Sequence, residues 1–295
     1  MRFHLLALFP LIASAVNIIS SNDDGWAEAN LRALYESLGR AGHSIVVSAP
    51  AENESSMGSK QGTPTPLTKP CEFNSCPAGS PAIGFNASEP RLGWVNSYPA
   101  TSMKYGISHR APQFFDGRPD LAVAGPNVGN NIGFAVYLSG TVGAATYAAQ
   151  AGIPAIAFSG ASGSQTSWNV SRPHYSDVYA DLATKLTNQI VAAGAPYLPN
   201  NTWLNVNFGA LSDTACTTAD DFEFVLSRIH VAIPFVTPDD VTTCDRSRLP
   251  TEFEVMLTPG CHASVSVGMA DTKGDANATT QGIVLRKLAS LLTCL

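Results

Sequence analysis

Asn22-Asp23-Asp24-Gly25 is the stretch whose residue types most need a chemical explanation. Two adjacent carboxylates after a short apolar run repel each other unless a positive charge meets them. A divalent cation is the simplest partner, because hard ions such as Mg²⁺ or Mn²⁺ favour oxygen ligands. A solvated turn with one Asp capping the next helix explains the dipeptide equally well when it stands alone. Three more polar loops shift that balance. Asn53, Ser55 and Ser56 follow the apolar run Ser44–Ala49. Gly125-Pro126-Asn127-Val128-Gly129-Asn130-Asn131-Ile132-Gly133 follows Leu121–Ala124. Its Gly and Asn content permits unusual backbone angles and close approach to a ligand. Ser139-Gly140-Thr141 then opens an Ala-rich segment, and a helix start offers free N–H groups to a phosphate.

These loops need a frame. Asn17–Ser21 reads as a strand, Ala27–Ala41 as a helix with Leu31, Leu34 and Leu38 on one face, and Ser44–Ala49 as a second strand. Such a unit joins parallel strands by a right-handed crossover. Leu92–Asn96, Leu121–Ala124, Ala155–Phe158 and Trp203–Phe208 supply further strands. Pro99–His109, Thr141–Gln150 and Tyr175–Ala193 supply helices, the last with Val178, Leu182, Leu186 and Ile190 at spacing four. Alternation of this kind predicts an α/β fold with a mostly parallel sheet covered by helices on both faces. All four polar loops then fall at the carboxyl edge of that sheet, where such folds bind ligands. Residues 211–295 are harder to read. Phe222–Leu226, His230–Phe235 and Glu252–Leu257 look like short strands of an irregular β extension, and Gly282–Leu292 like a terminal helix.

Composition narrows the partners. With 17 Lys+Arg against 23 Asp+Glu and a net charge of −6, the chain has no basic cluster dense enough for a polynucleotide backbone. A small phosphate ester remains open, since a metal can meet its charge. Arg2, the apolar run Leu5–Ala15 and the small residues Ala13-Ser14-Ala15 read as a signal peptide over residues 1–15, leaving residues 16–295 as one secreted domain. The run is too short to span a bilayer, and no second one could anchor the chain, so no membrane partner is expected. Six cysteines agree with export. Nearness along the chain suggests Cys71–Cys76, Cys216–Cys244 and Cys261–Cys294. Asn-x-Ser/Thr sequons stand at Asn53, Asn86, Asn169, Asn200 and Asn277.

Ile18-Ile19-Ser20-Ser21-Asn22-Asp23-Asp24-Gly25, then Ser48-Ala49-Pro50 with Asn53 and Ser55, then residues 125–133 and finally Tyr137-Leu138-Ser139-Gly140-Thr141-Val142-Gly143-Ala144-Ala145 resemble the survival protein SurE family in order and spacing. The likeness spans roughly residues 17–210. It implies a Rossmann-like three-layer α/β fold, a divalent-metal phosphatase acting on nucleoside monophosphates and other phosphate esters, and a dimer or larger assembly. It places the metal ligands on Asp23, Asp24, Ser55 and Asn127. Departures at Ser55-Ser56, Ala124-Gly125-Pro126-Asn127 and Ala27-Glu28-Ala29-Asn30 remove none of these ligands. The last third diverges more and resembles secreted fungal members of the family.

The expected activity is phosphomonoester hydrolysis of the acid phosphatase or nucleotidase type by a metal-activated water. Asp23 or Asp24 would take the water's proton. Asn131, Ser139, Gly140 and Thr141 would hold the phosphate. His109, His230 and His262 have no evident place as general acid. Three rival readings exist. One is a nucleophilic aspartate, which the missing Asp two residues on disfavours. Another is a serine hydrolase, which the spacing of Gly160-Ala161-Ser162-Gly163 disfavours. The third is a non-catalytic secreted metal- or ligand-binding protein on the same fold.

Overall fold

The computed structural model describes residues 15–212 and 214–295. The expected signal peptide lies almost wholly outside the described residues. In chain order the elements are β1 (Asn17–Ser21), α1 (Ala29–Arg40), β2 (Ser44–Pro50), β3 (Ile83–Phe85), β4 (Leu92–Val95), α2 (Pro99–Tyr105), β5 (Leu121–Val128), α3 (Gly140–Gln150), β6 (Ala155–Gly160), α4 (His174–Ala192), β7 (Thr202–Phe208), β8 (Glu223–Ser227), α5 (Glu252–Leu257), β9 (His262–Met269), α6 (Ala278–Lys287) and β10 (Leu292–Thr293).

One sheet holds every strand, in the order β10-β8-β9-β7-β6-β5-β1-β2-β4-β3. All neighbours run parallel except β3 on β4 and β9 on β7. After β1 the chain steps outward to β2 on one side, and β5 later returns to its other side. The crevice above β1 and β5 is therefore the point where strand order reverses, the place such sheets reserve for a ligand.

Both faces of the sheet are covered, which explains why its strands read as near-continuous apolar runs. On one face Leu34 and Leu38 of α1 meet Leu182, Leu186 and Ile190 of α4 over Ile18, Phe158 and Val206. Each such buried side chain contributes about 2 kcal/mol by area. On the other face α3 packs through Ala144, Ala145 and Ala148, with Met103 of α2 beside it. The small residues of α3 let backbone come close. A Cβ at Gly143 would lie 2.0 Å from the Gly58 carbonyl oxygen, so glycine there lets the loop after β2 lie directly on the helix.

The last third departs from the expected irregular extension. β8, β9 and β10 continue the main sheet. The alternation in His262–Met269 marks β9, a strand the sequence reading passed over. Glu252–Leu257 is the helix α5, not a strand. Thr251 accepts from the Glu254 N–H and the Glu254 carboxylate accepts from the Thr251 N–H, a capping box that outweighs the run's alternating look. His230–Phe235 forms no strand; it is a turn-rich stretch exposing Val231, Ile233 and Phe235. The terminal helix begins earlier than expected, at Ala278 behind an Asn277 cap.

Cys71–Cys76 forms as expected, but the other two pairs are Cys216–Cys261 and Cys244–Cys294. Register explains the exchange. Glu223 of β8 stands opposite His262 of β9, which sets Cys261 beside the segment entering β8. β10 docks on β8 and carries Cys294 with it. Among the described residues no helix is long and apolar enough to cross a membrane.

Candidate active site

Asp23 and Asp24 follow β1 directly and are 2% and 1% exposed. Gly25 makes the turn into α1 with φ +106°, where a side chain would be strained and a Cβ would strike the Glu72 carboxylate. Asp23 is held from α3: its Oδ2 accepts from Gly140 N at 3.1 Å, and its Oδ1 accepts from the Thr141 hydroxyl. Asp24 is held from two other elements. Its Oδ2 accepts from Val128 N of β5 at 2.9 Å, and its Oδ1 from the Gln165 amide in the loop after β6. No lysine, arginine or histidine among the described residues pairs with either carboxylate.

The electrostatics follow from that mounting. Burial pushes the Asp23 carboxyl above its ordinary range, and the Thr141 and Gly140 donors oppose the shift only in part. Asp24 is pushed well above the usual value by burial, then by the charges of Asp23 and Glu28. Glu28, fully buried, has its carboxyl raised to about 7 by burial, and its Oε1 finds no partner among the described residues. The result is a fixed nest of acidic oxygens without a counter-charge.

Asn127 stands on β5 next to Val128, whose N–H holds Asp24. Pairing of β5 with β6 shifts between Ala124 and Asn127, a bulge that re-aims the strand end. The structure thus extends β5 through Gly125-Pro126-Asn127, which the sequence reading took for loop. The Asn127 amide nitrogen donates to Gly129 O at 2.6 Å and Val128 O at 3.3 Å, so its Oδ1 is free of those bonds. Ser55 lies on the exposed loop after β2. Its backbone N–H donates to Asn53 Oδ1 at 2.9 Å, and the neighbouring Glu54 N–H donates to Asp23 O at 2.7 Å. That second bond ties the Ser55 loop to the Asp pair.

The residues of the expected phosphate seat have partners within the chain. Gly140 N and the Thr141 hydroxyl face Asp23 and serve as its mount, so the positive helix start is already used by a carboxylate. Ser139 caps α3, its Oγ accepting from Val142 N at 3.1 Å. Asn131 is locked on all sides. Its side-chain amide donates to Ser159 Oγ at 2.9 Å, its N–H to Asn207 Oδ1 at 2.8 Å, and its carbonyl accepts from Asn205 Nδ2 at 2.7 Å. In this arrangement Asn131 shapes the loop, and one N–H of its side-chain amide is spent on Ser159.

Several groups escaped the sequence reading. Gln165 sits in a Ser/Gly-rich loop with nothing to mark it. Asn205 and Asn207 alternate on an otherwise apolar strand and are fully buried, a polar signal that could have been read. Glu252 comes from the last third: its Oε1 accepts from Asn205 and its Oε2 from Gly133 N at 3.0 Å. Burial pushes its carboxyl up to about 8. Of the three histidines, His109 stacks on Tyr105 at the surface, and His262 lies near Glu223 at the far side of the sheet. His230 stacks on Tyr137, two residues before Ser139.

The model of the survival protein SurE family matches residues 18–225. An acid phosphatase of Yarrowia lipolytica is 31% identical over 287 residues, 88% of this chain and 80% of that protein. The 5'-nucleotidase SurE of Lawsonia intracellularis is 29% identical over 201 residues, 67% of each chain. The crystal structure of the Sure protein from Aquifex aeolicus superposes with a TM-score of 0.61 at 21% identity, covering 92% of this chain and 98% of that one, and so shares its fold. A family match across most of the chain, a relative above 30% identity over nearly its whole length and a common fold agree: the chain belongs to the SurE family.

Proposed function

We propose that the chain is a secreted phosphomonoester hydrolase that works with Mg²⁺ or Mn²⁺ held by Asp23, Asp24, Ser55 and Asn127. The observation that carries this reading is the pair of fully buried carboxylates with no cationic partner among the described residues. The donors suit a hard divalent ion: two carboxylates, an amide oxygen and a hydroxyl. When bound, such an ion polarises a phosphoryl oxygen and lowers the pKa of a water.

The chain's own residues supply the rest. Thr141 and Gly140 fix the Asp23 carboxylate, and Gln165 and Val128 fix that of Asp24, so neither need reorganise during turnover. One of the two takes the proton of the attacking water. Ser139, whose oxygen already accepts from Val142, keeps its hydroxyl proton for a phosphate oxygen. Asn131 holds the adjoining loop in shape for the same group. The relatives named acid phosphatase and 5'-nucleotidase support a small phosphate ester as substrate.

Three disulfides support export. Ile233, Phe235 and Val236 are 60%, 109% and 72% exposed, and cover of this run in a homodimer or larger assembly is part of the proposal. Light scattering on the purified chain gives its mass in solution.

The test compares wild type and Asp23→Ala on p-nitrophenyl phosphate and a panel of nucleoside monophosphates. Each is assayed after EDTA and again with added Mg²⁺ or Mn²⁺. Turnover that survives EDTA, or full activity in the variant, overturns the reading.

A further inference from the structure

Outside the Asp pair, the group least accounted for is Arg32 of α1. It is 6% exposed, yet no acidic side chain among the described residues pairs with it. Glu36 acts on it only from a distance and is itself held by Arg172 through bonds of 2.9 and 2.7 Å. The Arg32 Nε donates to Trp26 O at 2.8 Å, and its two terminal nitrogens find no acceptor among the described residues. The guanidinium carbon lies 4.9 Å from the ring centre of Trp26 and 6.0 Å from that of Trp168. Stacking on two indoles holds the cation in place but leaves its N–H groups unmet. Burial pulls its pKa down to about 10, the mark of a charge short of compensation.

Arg32 lines a cavity of about 270 Å³ walled by Trp26, Trp94, Trp168 and Phe85. Trp26 and Trp94 meet at 4.9 Å with their planes tilted by 49°, so the walls present several aromatic faces at different angles. We propose that this cavity is a second binding site, for a small anionic ring compound whose ring packs among the indoles and whose acidic oxygens meet Arg32. The planar fork of a guanidinium matches carboxylate or phosphate oxygens two at a time. Aromatic walls favour a flat ring. The volume falls just below the roughly 300 Å³ at which drug-sized pockets begin, so one ring and its acid group is the fitting size. None of these residues belongs to the Asp pair's mount.

Calorimetric titration of the full chain tests this, with EDTA present so that the metal site does not compete. The probes are benzoate, phenylphosphonate and uncharged benzamide. At least one anion binds with one-to-one stoichiometry and benzamide does not; which anion binds tells a carboxylate ligand from a phosphate-type one. Arg32→Met weakens binding by about tenfold or more, as loss of a charge-assisted bidentate contact should. Trp168→Leu, at a half-buried wall position, weakens it too and covers the case in which Arg32→Met does not fold. No saturation by either anion up to about 10 mM overturns the proposal, as does equal binding of benzamide or unchanged binding in both variants. Asn86 lies on the cavity's rim within a sequon. Binding by Asn86→Gln but not by wild type overturns the site as one for a free ligand and makes the chain's own sugar its occupant.

Discussion

Two pairs of buried aspartates stand at opposite ends of this chain. Asp240 and Asp275, in the last third, meet the buried guanidinium of Arg228 at 2.6 and 3.4 Å. Asp240 also takes the Leu249 N–H, and Asp275 those of Ile229 and His230. Asp23 and Asp24 are buried more deeply than either, yet only neutral donors reach them. In the first pair each charge is matched by protein, so the cluster ties segments together. In the second the positive charge has to come from elsewhere. Burial of an acid is common to both; the missing cation sets the Asp23–Asp24 pair apart and is what the proposed metal site rests on.

The contrast can be broken most directly at Asp24. Asp24→Asn should lower kcat/KM on p-nitrophenyl phosphate by about a thousandfold or more, while the melting temperature holds or rises as repulsion is relieved. A large loss of stability with activity intact would erase the distinction. The last third should answer in the opposite sense. Removing the Cys244–Cys294 bridge, with its sequence separation of 50, through the double change Cys244→Ser and Cys294→Ser should cost about 4 kcal/mol in denaturant unfolding. Turnover per folded molecule should stay near wild type. Asp240→Asn should cost about 3 kcal/mol, because Arg228 is then left under-compensated, again without a change in kcat.

A pH-dependent effect lies where the two regions join. Glu252 belongs to the last third but holds Gly133 beside the site. Its folded-state carboxyl titrates at about 8 against an ordinary 4.5. Below 4.5 both folded and unfolded chains keep the proton and the stability is fully present. As pH rises toward 8 the unfolded chain releases its proton first, so stability should fall by up to about 1.4 kcal/mol per pH unit. Glu28 and Glu72, both raised to about 7 by burial, add slope of the same sign. Urea midpoints measured across this range should therefore decline with pH in wild type and less steeply in Glu252→Gln. Equal slopes would show that Glu252 is ionised in the folded chain.

What could be read without coordinates was whatever is local. β1, β2, β6, α1 and α4 show in apolar spacing because each is covered from fixed directions. The Asp pair, Ser55 and Asn127 show because polar strings at strand ends stand out against those runs. Gln165, Asn205 and Glu252 do not, since each matters only through a partner far along the chain. The α3 start reads as a phosphate seat because an open helix N-terminus suits any anion; what the sequence does not show is that its Gly140 N–H and Thr141 hydroxyl also hold Asp23. The disulfide pairing departs from nearness along the chain because sheet register brings Cys216 to Cys261 across a separation of 45 residues, past the nearer Cys244.

Asp23 reaches its mount across 117 residues of chain, and Asp24 reaches Gln165 across 141. The carboxylates are made first and the groups that aim them come much later. Until Gln165 has been synthesised and β5 and β6 have joined β1, the nest of oxygens does not exist. Contacts at such separation form slowly, because a long loop must close before it gains anything. In a chain made from its amino end, the nest of oxygens therefore closes long after its first residues have emerged, and the strands of the last third join the sheet later still.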